Sequence, residues 1–135
     1  MANSYYEIYL HIVWTTKNRE EMITQDVERL INSIIESKVH NQDTRVIAIG
    51  NTKDHIHLLI AVGPKFDIST LIKEIKGLIS YHINHNTDGN LYWQDGYGVL
   101  SVSKEAIPNV KRYIENQKVH HYGDKKLMPE LERCE

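Results

Sequence analysis

The stretch RVIAIGNTKDHIHLLIAV, residues 45–62, decides how the chain folds. Two apolar, β-branched runs, 45–50 and 55–62, flank the polar link Asn51-Thr52-Lys53-Asp54, a pattern that predicts an antiparallel hairpin. Gly63 and Pro64 close its second strand. Side chains two apart in a strand share a face, so His55 and His57 stand side by side while Ile56, Leu58 and Ile60 face the other way. One face of the hairpin is thus core, and the other carries two imidazoles.

Upstream, residues 5–16 are rich in aromatic and β-branched side chains and predict a long strand ended by Lys17-Asn18-Arg19. A helix follows, capped by Thr24 and running to about Asn41, with Val27, Leu30, Ile31, Ile34 and Ile35 on one stripe. Downstream, Ser69 is the expected cap of a second amphipathic helix. Its apolar side carries Leu71, Ile72, Ile75, Leu78, Ile79, His82 and Ile83, and residues 86–90 break it. Residues 97–103 predict a last strand and 104–121 a third helix, with Pro108 allowing a start at 107 or 108 instead. The order β-α-β-β-α-β-α predicts an α+β, ferredoxin-like split βαβ sandwich with an additional C-terminal helix that carries Tyr113. Two helices cover one sheet face, and the last lies on the face of the histidines.

A chain of 135 residues is long enough for one core and short for two, and it shows no internal repeat. The expectation is a single domain over residues 1–135: a core at 1–103, the tyrosine helix at 104–121 and a tail at 122–135. The only cysteine, Cys134, excludes an internal disulfide and suits a reducing compartment. Neither a membrane-length apolar run nor a basic-then-apolar leader is present, so the expected location is the cytoplasm. Net charge is −2, but residues 44–126 hold 11 basic against 8 acidic groups, which permits a local phosphate-binding surface without demanding one.

The histidine pair taken alone has two readings, a pair of metal ligands or two ordinary strand histidines. Leu59 speaks against a histidine-triad hydrolase, because it stands where a third alternate histidine is needed. Tyr113 and Gln117 are one helical turn apart and share a face, as catalytic partners or as members of a core stripe with Val110 and Ile114. A phenol with an ordinary pKa near 10 needs an electrophile activated by a nearby cation or base.

Four motifs in order, YLHIVWTTK (9–17), DHIHLL (54–59), WQDGY (93–97) and YIENQ (113–117), resemble the single-tyrosine HUH transposases of small insertion sequences, the IS200-like group. The resemblance implies that His55, His57 and Gln117 ligate Mg²⁺ or Mn²⁺ and that Tyr113 is the nucleophile. It implies a 5′-phosphotyrosine intermediate, DNA hairpins at element ends as partners, a prokaryotic cytoplasm, and a homodimer whose active sites can be composite. No nucleotide cofactor is expected, because each phosphodiester is exchanged for a phosphotyrosine and back. Lys111, Arg112, Lys118, Lys125 and Lys126, with His120 and His121, are candidate phosphate contacts or a solvated helix face. Tyr5, Tyr6, Tyr92 and Trp93 are candidates for base stacking or for packing. Asp54 and His11 are candidates for orienting the ligand histidines. A hairpin binder that does not cleave and a relaxase or replication-initiator nickase are the competing functions.

Overall fold

The computed structural model describes residues 4–40 and 43–117. The elements follow in the predicted order: β1 (Ile8–Thr15), α1 (Gln25–Val39), β2 (Arg45–Asn51), β3 (His55–Val62), α2 (Ile68–Asn86), β4 (Gly98–Val102) and α3 (Ile107–Glu115). The strands form one sheet in the order β2-β3-β1-β4, and every neighbouring pair is antiparallel. β3 lies between β1 and β2, and β1 between β3 and β4, so each strand-helix-strand unit is split by a strand of the other. This is the expected α+β, ferredoxin-like class.

β1 begins at Ile8, later than the predicted residue 5. The cause is pairing: Ile8 faces Val62 and Tyr9 faces Val102, the last residues of the two flanking strands. β4 is likewise limited to Gly98–Val102, because Gly98 already pairs with Val13 and only an isolated bridge, Thr16 to Trp93, lies beyond.

Leu10, Ile12 and Trp14 of β1 and Ile56, Leu58 and Ile60 of β3 form the main core with α1 and α2. The helices contribute Val27, Ile31, Ile35 and Val39 from α1, and Ile72, Ile75, Ile79 and Ile83 from α2. Fully burying such a side chain stabilises the fold by about 1.5–3 kcal/mol. The stripes are narrower than the sequence pattern suggests. Leu30, Leu78 and His82 turn outward, because residues four apart track one side of each helix and leave the flanking positions to solvent. No helix among the described residues is long and apolar enough to cross a membrane.

Thr24 caps α1 as expected, its hydroxyl accepting from the Val27 N–H at 3.3 Å. The cap of α2 is Asp67, in place of the expected Ser69. The reason is acceptor capacity: the Asp67 carboxylate takes the Thr70 N–H at 3.1 Å, the Thr70 hydroxyl at 2.8 Å and the Ser69 hydroxyl at 3.0 Å. Those bonds, the Thr70 hydroxyl first, hold its carboxyl below the ordinary carboxylate range. A depressed folded-state pKa means that the stabilisation is complete above the unfolded value of about 3.9 and is lost as pH falls through the folded one. Asp67→Asn is therefore expected to melt below the wild type at pH 7, and the gap should narrow on acidification below about pH 4. Parallel melting curves that keep a constant gap would remove the carboxylate from the account.

α3 packs on the opposite face, where Val110 and Ile114 meet Ala48 and Leu59. One irregularity makes this possible. Val46 pairs with Ile60 and Ala48 with Leu59, so Ile47 is an extra residue in β2. The bulge re-phases the strand and turns Ala48 and Gly50 toward α3. A Cβ at Gly50 would lie 2.0 Å from the Ile114 carbonyl oxygen, so only glycine lets the helix sit this close.

The tyrosine helix departs from the expected 104–121. A single 3-10 turn at Lys104–Ala106 precedes α3, Pro108 stands in the first turn, and the helix closes at Glu115. Asn116 leaves the helical region with φ −103° and ψ 27° while its N–H still reaches the Arg112 carbonyl at 3.0 Å. Residues 118–121 lie outside the described residues, as does the tail.

Candidate active site

The hairpin turn holds His55 in place. Its Nδ1 is 2.7 Å from Asp54 Oδ1 and 2.8 Å from Thr52 Oγ1, and the Thr52 hydroxyl donates to the same carboxylate oxygen at 3.1 Å. The hydrogen bond from His55 leads the effects that hold the Asp54 carboxyl below its ordinary range, with Thr52 and the charge of Arg19 adding to it. The backbone ties this turn to the end of β1, where the Thr16 N–H donates to the Asp54 carbonyl at 2.8 Å. A carboxylate accepts, so Nδ1 of His55 donates and the ring's lone pair lies on Nε2. Asp54 is at once a turn residue and the partner of the first histidine. Thr52 and Thr16 were not singled out in the sequence, and no spacing motif marks them.

His57 is fully buried on the same face, its ring centroid 5.1 Å from that of His55. Its Nδ1 is 2.7 Å from Nε2 of His11, and the two rings stack at 5.0 Å with 17° between their planes. His11 thus reaches the site through His57, from the neighbouring strand. From above the sheet, α3 presents Tyr113, 3% exposed, with its ring edge-on to His57 at 6.1 Å. Gln117 lies beyond the end of α3, yet it is buried and its Nε2 donates to the Tyr113 carbonyl at 3.1 Å. The predicted set of Asp54, His55, His57, His11, Tyr113 and Gln117 is brought together within a single chain.

Other candidates fall elsewhere. Lys111 and Arg112 are exposed on α3, Arg112 donating to Asn109, whereas Lys118, His120, His121, Lys125 and Lys126 lie outside the described residues. Tyr5, Tyr6 and Tyr92 are exposed, but Trp93 packs against the main core and its indole N–H donates to the Lys76 carbonyl at 2.9 Å. It is a structural residue, not an open stacking platform.

The donor set suits a divalent cation of modest softness. His, Cys and carboxylate side chains alone form no group of three that could hold a metal among the described residues. Gln117, with its amide nitrogen turned to the Tyr113 carbonyl, has its oxygen as the group it could offer a cation. Two imidazoles and an amide oxygen fall short of the four protein ligands of a closed structural zinc site and would leave positions open for phosphate oxygens; the nitrogen donors suit Mn²⁺ better than Mg²⁺, which prefers oxygen throughout.

A four-stranded sheet with helices on one face and this site on the other belongs here to a transposase, a DNA-processing enzyme. Residues 4–117 match the family model described as Transposase IS200 like, and the chain is a member of that family. It is 25% identical over 119 residues to the ISDra2 transposase TnpA of Deinococcus radiodurans, covering 83% of this chain and 85% of that one. It is 26% identical over 125 residues to the transposase for insertion sequence element IS200 of Salmonella typhimurium, covering 87% and 81%. Two solved structures share the fold. One, a Deinococcus radiodurans protein assigned as a transposase, superposes with a TM-score of 0.60 at 23% identity over 87% of this chain and 95% of its own. The other, a tyrosine transposase bound to a REP hairpin, gives 0.61 at 17% identity over 90% and 74%.

Proposed function

We propose that the chain cuts one strand of single-stranded DNA and rejoins it by transesterification, with the Tyr113 hydroxyl oxygen as nucleophile. The observation that carries this reading is the convergence on one sheet face of the Tyr113 ring, 6.1 Å from His57, and the His57 ring, 5.1 Å from His55. The phenolic oxygen attacks phosphorus and loses its proton, a 5′-phosphotyrosine forms, and the bond to the 3′ oxygen breaks to leave a free 3′-hydroxyl. A second 3′-hydroxyl reverses the step on another strand. One ester bond forms for each one broken, so no nucleotide cofactor is required.

Nε2 of His55, Nε2 of His57 and the Gln117 amide oxygen would hold Mg²⁺ or Mn²⁺, which when bound polarises the phosphate and stabilises the charge it develops. The rest is done by the protein. Asp54 and Thr52 orient His55, His11 orients His57, and the Gln117 to Tyr113 contact ties the third ligand to the nucleophile's own backbone. Tyr113 and His57 being neighbours in one chain supports assembly in cis. A homodimer is a further part of the proposal, and an exchange of tyrosine helices between its subunits is the alternative that the mixing test below decides. That a solved neighbour is bound to a REP hairpin supports hairpin DNA as the partner, with Lys111 and Arg112 available to phosphate.

The test is incubation with single strands carrying the element's end hairpin and Mn²⁺, read as a covalent protein–DNA adduct on a denaturing gel. No adduct on a strand that the protein demonstrably binds would leave a non-cleaving hairpin binder. His11→Ala separates orientation from ligation. It is expected to weaken Mn²⁺ binding by about 10–100-fold in calorimetry and to shift the Mn²⁺ dependence of adduct formation, with activity restored at high metal. Unchanged metal affinity would make His11 a packing residue only.

A further inference from the structure

Beside the His55 end of the site lies a polar groove of about 570 Å³ that the reaction above does not use. Its walls are the segment after β1, with Thr15, Asn18 and Arg19, and the segment before β4, with Gln94, Asp95 and Tyr97. Thr15 pairs with His55 across the sheet, so the groove and the histidine site share a wall. Arg19 is near enough for its charge to act on Asp54, the partner of His55.

The groove is built in advance. Asn18 and Arg19 are consecutive non-glycine residues with φ of 57° and 54°, a left-handed conformation that the surroundings must hold in place. Four bonds hold it: Lys17 N–H to the Tyr92 carbonyl at 2.8 Å, Arg19 N–H to the Thr16 carbonyl at 3.0 Å, Gln94 N–H to the Thr15 carbonyl at 3.0 Å, and Asn18 N–H to Gln94 Oε1 at 3.1 Å. The opposite wall is pinned from α2, where the Lys76 ammonium donates to the Gln94 carbonyl at 2.9 Å and the Gly96 carbonyl at 3.1 Å. Beneath it, Trp93 packs edge-on to Trp14. Strain that is held this firmly and lies next to a reactive centre points to a ligand contact.

We propose that this groove receives one unpaired nucleotide of the strand being cut, reading its base while the adjoining phosphate lies at the histidine site. The proposal rests on the strand-transfer reading above for the identity of the ligand. The chemistry is that of base recognition. Side-chain amides and a carboxylate address base edges, and a guanidinium stacks on a base or binds phosphate. Tyr97, partly buried against the core, adds an aromatic surface.

The test uses the trinucleotides d(A)₃, d(C)₃, d(G)₃ and d(T)₃ as probes, titrated into the ¹⁵N-labelled full chain without added metal, so that it is independent of cleavage. Saturable shifts of the Asn18, Arg19 and 94–97 amides, with one base bound at least about 5-fold tighter than the weakest, are expected. Asn18→Gly keeps the left-handed backbone and removes only the amide, and should lower affinity for the preferred trinucleotide by about 5–10-fold. Asp95→Asn should change the rank order of the four bases. Shifts confined to the α3 surface, or equal binding of all four bases by wild type and both variants, would overturn the proposal. A groove that discriminates bases in a protein that forms no adduct would leave this inference standing and remove the tyrosine chemistry. An adduct without base discrimination would do the reverse.

Discussion

Tyr113→Phe is expected to form no covalent adduct with any strand, a loss of at least about 10³-fold in strand transfer, while hairpin affinity changes by less than about 2-fold. The substitution removes one oxygen and keeps the ring, so the edge-on packing against His57 at 6.1 Å is retained and the fold should be unaffected. His57→Ala is expected to reach the same endpoint by another route, since it deletes a proposed ligand and its contact with His11 at 2.7 Å while leaving the phenol. Mixing the two inactive proteins then decides how the site is assembled. Recovery of adduct on the His57→Ala chain means that its tyrosine has joined a partner's intact histidines. No recovery in a mixture shown to form heterodimers means that each chain uses its own. A residual adduct in Tyr113→Phe, mapped to another residue, would take the nucleophile's role from Tyr113.

Gly50→Ala carries the second large effect, on the fold and the site together. The added Cβ would meet the Ile114 carbonyl oxygen at 2.0 Å and carbon at 2.9 Å, both backbone atoms of α3. No rotamer can relieve that contact, so the helix must move off the sheet. Overpacking of well-packed sites costs about 1–3 kcal/mol, and a clash with backbone belongs at or beyond the top of that range. Because Tyr113 precedes Ile114, the same displacement withdraws the Tyr113 ring from His57. Urea unfolding should show a lower midpoint, and adduct formation should fall by more than the lost stability accounts for. Gly77→Ala is the control: nothing lies within 4 Å of its added Cβ, and removing a glycine from α2 should raise stability by about 0.5–1 kcal/mol. Trimming Ile114 to Ala should not rescue Gly50→Ala, because the obstructing oxygen remains. A Gly50→Ala protein with wild-type midpoint and activity would show that α3 does not depend on this approach.

The fold was legible because its signals are periodic. The three- and four-residue steps in α1 and α2 are set by burial, and the continuous apolar run of β3 marks a central strand buried on both faces. The histidine pair was legible for the same reason: its 55/57 spacing names a face. Where the sequence was read wrongly, a short-range competition decided the outcome. Asp67 displaced Ser69 as the cap of α2 because a carboxylate accepts several bonds at once. The direct bond from His11 to His57 depends on strand register, which no local pattern encodes. Trp93 was left between stacking and packing because its contact with Trp14 and its bond to Lys76 join segments distant in the chain.

The extra residue at Ile47 makes β2 behave like a reading frame. Upstream of it the strand is in one phase with β3, and downstream in the other, so that Ala48 and Gly50 come out under α3. Removing a single residue between 45 and 50 would restore regular pairing and send the wrong side chains to each layer, however conservative the deletion. Adding residues between α1 and β2 leaves that phase untouched. Length variation among related chains should therefore be free ahead of Arg45 and nearly absent from there to His57, because one unpaired isoleucine keeps the helix of Tyr113 in step with the histidines.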